Sequence, residues 1–355
     1  MNKRMSLLSA LLCALLATTA LPGVTTRAQS SQKVEFVVTT PGAYLRELPT
    51  LLSANTYPVF KDDRFGVIGR TADNFWVQLS YPNAISGTWI IASLGAVIGD
   101  LKDVKPLPAN KTPAPVVSGR AGPITVPGTP VITPAQRALY RKAVAAGRDA
   151  TMFAVIGDCN SQPTAYVGRL AAGLFGYEQY RAYPATVSRF TRAFARVSLA
   201  ASGGFNTAAV LDPTWADGYF CKAGESPLAC ELRLSKASIA LIELGTGDTH
   251  IWQEFESNFR AVVEATLKSN VLPVLITKAD ALEHEQADAP EDHINTVIRK
   301  VGAEYGVPVM DFHLATRNLP NFGLLDEGNA DFHLGPGGSY IHLLQTLQVL
   351  DQIWR

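Results

Sequence analysis

Five apolar runs in the C-terminal part of the chain restrict the fold more than any other feature of the sequence. They cover residues 153–156, 195–200, 239–244, 271–277 and 307–312. Uninterrupted apolar runs of this length are typical of strands that are buried on both faces of a parallel sheet. Amphipathic helical patterns lie between several of the runs. We therefore predict an α/β fold, a three-layer sandwich with a five-stranded parallel sheet, from residue 151 onward.

Helical patterns with clear ends accompany these strands. Thr-Pro-Ala-Gln at 133–136 is a capping box with proline in the first turn, and it predicts a helix that ends at Ala146, before Gly147. Other helices are predicted after Thr249, after Pro290 as far as Gly306, and from about Tyr340 to Trp354. The Gly-Pro-Gly-Gly run at 335–338 is interpreted as a flexible connector, because a phosphate loop would continue with lysine and serine or threonine.

Residues 33–105 follow a different pattern, rich in β-branched and aromatic residues and interrupted by turn signals. The predicted strands cover residues 34–40, 43–47, 56–60, 65–70, 75–81 and 87–92. Short strands at this spacing, with little room for a helix, predict a small all-β barrel.

Three motifs in this segment resemble those of bacterial SH3-like domains. They are Ala-Tyr-Leu-Arg-Glu-Leu-Pro at 43–49, Asn-Phe-Trp-Val-Gln-Leu at 74–79 and Gly-Thr-Trp-Ile at 87–90. The resemblance implies an SH3-like barrel, and such domains often bind cell-wall peptides or other surface polymers. An attachment module without a ligand of its own is the alternative.

The N-terminus and the overall charge place the protein in a broad class. Residues 1–28 have the pattern of a secretory signal, with Lys3 and Arg4 before an apolar stretch and Thr-Arg-Ala at 26–28 as a cleavage site. That stretch is too short for a comfortable membrane span, so we predict an exported protein, secreted or at the cell surface, without a transmembrane anchor.

Residues 106–132 are interpreted as a Pro-rich linker, which leaves 133–355 as the second domain. Lys and Arg number 31, as do Asp and Glu, so the net charge does not indicate nucleic acid as a partner.

Three cysteines remain after removal of the signal, an odd number for an oxidising compartment. Cys221 and Cys230 flank a turn-rich loop that a disulfide could close, and their pairing would leave Cys159 as a free thiol. Gly157 and Asp158 close the first apolar run, and Asn160 or Ser161 can cap a helix over 162–175. Cys159 would then lie at the start of a helix, where the dipole favours a thiolate. A small buried cysteine in a turn is the alternative.

Four short blocks at predicted strand ends resemble those of the SGNH (GDSL-type) hydrolase family. They are Gly-Asp-Cys-Asn-Ser at 157–161, Gly-Gly-Phe-Asn-Thr at 203–207, Gly-Thr-Gly-Asp at 245–248 and Asp-Phe-His-Leu at 331–334. The family's blocks are Gly-Asp-Ser, a glycine, Gly-x-Asn-Asp and Asp-x-x-His. The resemblance covers about residues 151–355 and implies the flavodoxin-like SGNH fold.

The resemblance also implies hydrolysis of acyl esters, such as an O-acetyl group on a polysaccharide. Cys159 stands at the nucleophile position, His333 at the general base, Asp331 beside it as the orienting carboxylate, and Gly204 (or Gly203) and Gly247 at the oxyanion positions. The predicted substrate-binding residues are Asp158, Asn160, Asn206 and Asp248. No cofactor is predicted, and no metal, because no His-x-x-x-His or paired Cys-x-x-Cys motif occurs.

Three departures from the family's pattern bear on activity. Cysteine replaces the nucleophilic serine, Gly247 replaces the asparagine that donates to the oxyanion, and Ala330 occupies the position three before His333. Asp331, two before the histidine, or the more distant Asp326 would then orient the imidazole. The alternative function is therefore a catalytically decayed SGNH-fold protein that binds cell-surface or extracellular polymers.

Overall fold

The computed structural model describes residues 34–80, 87–107, 125–175, 182–325 and 332–355. The predicted signal at 1–28, most of the predicted linker at 106–132, and Asp326, Ala330 and Asp331 lie outside these ranges. Within them the chain forms two sheets, and it contains no helix that is both long and apolar enough to cross a membrane.

An antiparallel sheet forms the N-terminal part of the described chain. Its strands are β1 Glu35–Val38, β2 Gly42–Arg46, β3 Asn55–Phe60, β4 Arg64–Arg70, β5 Trp76–Ser80, β6 Thr88–Ile91 and β7 Gly95–Ile98, in the order β3-β2-β6-β5-β4-β1-β7. The six predicted strands are confirmed, whereas β7 was not predicted. The first residue of β7, Gly95, must be a glycine, because a Cβ there would lie 2.4 Å from the ring of Phe36 in β1. The SH3-like barrel stays a prediction.

A parallel sheet forms the C-terminal part. Its strands are β8 Asp149–Gly157, β9 Ala237–Glu243, β10 Leu272–Ile276 and β11 Val309–Met310, in the order β11-β10-β9-β8. The sheet therefore has four strands in the described ranges, and the prediction of a strand at 195–200 is wrong. The Leu199 N–H donates to the Glu231 carboxylate at 3.0 Å, so it is not available to a strand ladder. Ala201 instead forms an isolated bridge with Gly157.

Helices surround the parallel sheet. They are α1 Pro134–Ala145, α2 Gly168–Ala171, α3 Pro184–Arg189, α4 Thr191–Phe194, α5 Pro227–Ser235, α6 Trp252–Lys268, α7 Glu283–Gln286, α8 His293–Tyr305, α9 Phe312–Thr316 and α10 Pro336–Trp354. The predicted capping box is confirmed, because the Thr133 hydroxyl accepts the Gln136 N–H at 3.2 Å. The connector prediction for 335–338 is wrong, because α10 begins at Pro336.

The alternation of side chains along β8 divides the core into two layers. Phe153 and Val155 face one cluster, which includes apolar residues of α3, α4 and α10. Ala154 and Ile156 face the other, which includes apolar residues of α5, α6 and α8. Because both faces of the sheet are covered by helices, the predicted three-layer α/β architecture is confirmed, with one strand fewer.

The antiparallel sheet packs directly against α2, and one buried cation contributes to the contact. Arg46 at the end of β2 is 1% exposed. Its guanidinium donates to Leu51 O and Ser53 O at 3.1 Å, and to Leu170 O in α2 at 3.0 Å. The guanidinium thus satisfies backbone carbonyls from both parts of the chain, as buried polar groups require.

We expect Arg46→Met to lower the free energy of unfolding by about 3 kcal/mol, because it leaves several buried carbonyls without a donor. Urea unfolding of the protein measures this loss. Arg64→Met is the matched control, since the Arg64 side chain is 63% exposed and forms an ion pair with Glu35. Equal stability losses in the two variants would contradict the role assigned to Arg46.

Candidate active site

The carboxyl ends of three adjacent parallel strands bring charged side chains together. Asp158 follows β8, Glu243 ends β9, and Lys278 follows β10. All three are buried, with exposures of 2%, 5% and 4%. This edge is where open α/β sheets bind ligands. The first and third predicted blocks, at 157–161 and 245–248, lie at this edge because they follow β8 and β9.

The turn after β8 is shaped by Asp158. Its Oδ1 accepts the Asn160 N–H at 3.0 Å, and the short 3-10 helix Cys159–Ser161 begins there. The Ser161 hydroxyl donates to Glu243 Oε2 at 2.8 Å, and turns rather than an α-helix follow it at 162–167. The predicted helix over 162–175 is therefore wrong: the four-residue α2 is the α-helix of that stretch.

Asn160 joins this turn to the loop that carries His333. Its Nδ2 donates to Phe332 O at 2.7 Å, and its Oδ1 accepts the Leu334 N–H at 3.0 Å. Both neighbours of His333 are thus bonded to the residue that follows Cys159, and His333 itself is exposed. Asn160 was predicted to bind substrate, but the structure uses its side chain to hold two blocks together.

The Cys159 thiol is neutral rather than ionised. Burial, as the largest cause, and the charge of the neighbouring Asp158 together raise its pKa to about 12. The backbone N–H groups at the turn act in the opposite direction but are outweighed. The predicted thiolate is therefore wrong, because a three-residue helix supplies little dipole against this desolvation.

Asp158 and Glu243 form a buried acidic pair. Burial raises the pKa of both side chains, and the neighbouring Asp158 raises that of Glu243 further. Asp158 also accepts the Thr246 N–H at 3.3 Å, in addition to the Asn160 N–H, and these bonds favour its ionised form. We therefore assign the proton to Glu243.

A buried imidazole lies next to this protonated carboxyl. The Nε2 of His342 is 3.6 Å from Glu243 Oε1. The ring lies between those of Tyr166, at 3.8 Å, and Phe312, at 4.5 Å. Burial lowers the pKa of His342 to about 3, so the imidazole is neutral. Glu243 and His342 therefore bring no net charge into the core beneath Cys159.

Sequence reasoning missed Glu243, Lys278 and His342. A usable signal existed for the first two, because Glu243 interrupts the apolar run at 239–244 and Lys278 follows directly after the run at 271–277. The Nζ of Lys278 lies 3.1 Å from Asp280 Oδ1 and 3.0 Å from Glu283 Oε1. The buried ammonium charge is therefore paired with two carboxylates. No signal in the sequence places His342 beside Glu243.

The third block has no room for the asparagine of the family's pattern. A Cβ at Gly247 would lie 2.4 Å from the Phe205 carbonyl oxygen. Phe205 belongs to the loop that follows Gly204, a glycine at φ +83° with open space around it. The Ser202 N–H donates to Gly157 O at 3.2 Å, which sets the second block beside the first.

Two other predicted substrate-binding residues have partners within the protein. Asn206 Oδ1 accepts the Ala209 N–H at 2.8 Å, which caps a turn. Asp248 is fully buried, and its carboxylate accepts the Thr207 N–H at 3.0 Å. Asp158 is likewise buried. These side chains support the loops of the site.

The Cys221–Cys230 disulfide, which follows the loop after Gly204, is present as predicted.

The burial of Asp248 predicts a pH dependence of stability. Burial raises its pKa from 3.8 to about 6, so the folded state holds this proton more tightly than the unfolded chain. The associated stability is present below pH 4 and is lost as the pH rises through 6. We expect the wild type to lose about 2 kcal/mol relative to Asp248→Asn between pH 4 and 7, by urea unfolding.

Asp73→Asn is the control, because the contribution of Asp73 to stability should change with pH in the opposite direction. Burial raises the pKa of Asp73, but hydrogen bonds from Thr71 and Phe75 and the Arg192 charge together lower it below its usual value. Its contribution should therefore be lost as the pH falls. Parallel stability profiles for the wild type and Asp248→Asn would contradict the prediction for Asp248.

Comparison with known proteins gives a distant similarity. No protein-family model and no curated protein sequence matches the chain. An acetylxylan esterase from Geobacillus stearothermophilus is 14% identical, with 56% of this chain and 93% of that one covered at a TM-score of 0.36. A putative lipolytic protein of the G-D-S-L family from Desulfitobacterium hafniense is 15% identical, with 56% and 99% covered at 0.35. A putative acylhydrolase from Bacteroides fragilis is 14% identical, with 62% and 98% covered at 0.36. Similarity at this level carries no conclusion about activity.

Proposed function

We propose that this protein is an exported SGNH-like hydrolase of acyl esters, with Cys159 as nucleophile and His333 as general base. The observation that supports it most is the pair of hydrogen bonds from Asn160, at 2.7 and 3.0 Å, to the two residues that flank His333. They hold the base loop against the nucleophile turn, although 172 residues separate Asn160 from Phe332.

The neutral thiol suits a serine-like mechanism. The His333 imidazole takes the proton from Cys159 as the sulfur attacks the ester carbonyl carbon, and it then gives that proton to the leaving alcohol oxygen. Water, deprotonated by the same imidazole, attacks the resulting thioester and releases the carboxylic acid and the free thiol. The N–H groups of Cys159 and Gly204 stabilise the oxyanion, and Asp331 orients the imidazole.

The remaining parts of the proposal concern location and partners. The signal pattern at 1–28 and the Cys221–Cys230 disulfide are consistent with an oxidising compartment outside the cytoplasm. The proposed substrate is an O-acyl group on a polysaccharide. The 33–105 segment is proposed as an SH3-like domain that contacts a cell-wall or surface polymer, followed by the linker at 106–132 and the hydrolase domain at 133–355.

The second candidate is a decayed SGNH-fold protein that binds such polymers without turnover. The Phe205 carbonyl, which excludes a side chain at Gly247, favours it. Where one oxyanion donor has been removed from a hydrolase, turnover falls by about two to three orders of magnitude. The two candidates differ in whether the rate of ester hydrolysis falls when Cys159 is replaced.

We expect Cys159→Ala to abolish turnover of an aryl acetate. Cys159→Ser should keep the rate within roughly tenfold of the wild type, because the site already holds a protonated nucleophile that needs the base. Initial rates and intact mass, which detects the acyl adduct, measure both. Equal background rates in the wild type and Cys159→Ala would instead support the decayed site.

The same proposal fixes how the thiol reacts with iodoacetamide. With the pKa raised to about 12, the alkylation rate should increase with pH without a plateau up to pH 10. A free cysteine levels off above its pKa of about 8.5 and is the reference. A plateau near neutral pH would show a thiolate and contradict the neutral nucleophile.

Removing the amide of Asn160 should lower kcat by about two orders of magnitude with a smaller change in KM, because the base loop loses its position. We expect this for Asn160→Ala on the aryl acetate. Asn270→Gly, at an exposed asparagine of positive φ, is the control and should keep both constants. An unchanged kcat in Asn160→Ala would remove the main support for His333 as the base.

A further inference from the structure

Three aromatic side chains project into solvent from one short segment. Trp215 is 55% exposed, Tyr219 88% and Phe220 54%. They belong to residues 212–221, which we call the aromatic loop. Large aromatic side chains normally bury most of their surface, so three exposed rings within six residues mark a surface that contacts something else.

The aromatic loop is held in place by covalent and polar contacts. The disulfide joins its last residue, Cys221, to Cys230 in α5. The Arg233 guanidinium donates to Phe220 O at 3.3 Å. Asp217 Oδ1 accepts the Tyr219 N–H at 2.8 Å. The rings are therefore presented by an ordered backbone, which lowers the entropy cost of binding.

The aromatic loop is continuous with the candidate active site. The Trp215 ring contacts the Phe205 ring edge to face, with centroids 6.1 Å apart. Phe205 follows Gly204, and its carbonyl oxygen lies against Gly247. A polymer whose ester lies at Cys159 could therefore extend from the second and third blocks onto Trp215.

We propose that the aromatic loop binds a stretch of polysaccharide next to the ester-bearing sugar. Sugar rings present C–H faces that pack on aromatic rings, and hydroxyl groups that donate to carboxylates. The loop offers both, because the exposed Asp212 and Asp217 alternate with Trp215 and Tyr219. The core of a protein interface would instead be depleted of charged residues. This inference rests on the proposed function for the identity of the ester, whereas binding can be measured alone.

Affinity electrophoresis in gels that contain xylan, native or chemically O-acetylated, tests the proposal. Cys159→Ala is the parent protein, so that the acetyl groups are not consumed. We expect the xylan to retard the parent, and Trp215→Ala or Tyr219→Ala to weaken binding by about tenfold each. Phe60→Ala on β3 is the matched control, because Phe60 is an aromatic residue that is 60% exposed, and it should bind like the parent.

Several results would overturn the proposal. One is that xylan, native or acetylated, does not retard the parent. Another is that Trp215→Ala and Tyr219→Ala bind as tightly as Phe60→Ala. Sedimentation with phosphatidylglycerol vesicles that is lost in the same two variants would assign the loop to a membrane surface instead. Tyr219 is so exposed that its truncation leaves the core intact, which keeps the test valid if Trp215→Ala misfolds. Aryl acetate turnover, compared with and without Cys159, tests the proposed function separately.

Discussion

Exclusion of water from the carboxyl edge of the parallel sheet determines the chemistry of everything placed there. Lys278 is paired with Asp280 and Glu283, Glu243 keeps its proton, and Asp158 retains its charge through N–H donors. Because a buried charge without a partner is costly, each of these groups constrains the conformation of the loop that carries it. The loop positions around Cys159 follow from these requirements.

The candidate site differs in character from a typical cysteine hydrolase. A cysteine nucleophile is usually activated in advance by a nearby cation or a helix N-terminus. Here burial and the charge of the adjacent Asp158 favour the protonated thiol of Cys159. In the proposed mechanism proton removal accompanies attack, and His333, the proposed base, is exposed to solvent.

Local sequence patterns correctly predicted two kinds of element. In one kind the stabilising contacts come from residues close in the chain, and in the other any apolar neighbour can supply them. β8, β9 and β10 were predicted from their apolar runs, which any buried parallel strand has. α1 was predicted from its capping box, whose residues are close together in the sequence. The segment at 195–200 has the same apolar pattern. However, the Leu199 N–H donates to the Glu231 carboxylate, 32 residues away in the sequence. The thiol was predicted as a thiolate because the burial that opposes its ionisation exists only in the folded chain.

The buried guanidinium of Arg46 has a consequence for how this protein can change over time. It bonds to carbonyls on both sides of the boundary between the antiparallel sheet and α2, a helix that follows the Cys159 turn. A recombination event that removed the N-terminal sheet would leave Leu170 O without its donor and uncover apolar core. The N-terminal sheet therefore covers apolar core of the C-terminal part, and neither part can be exchanged alone without exposing that core.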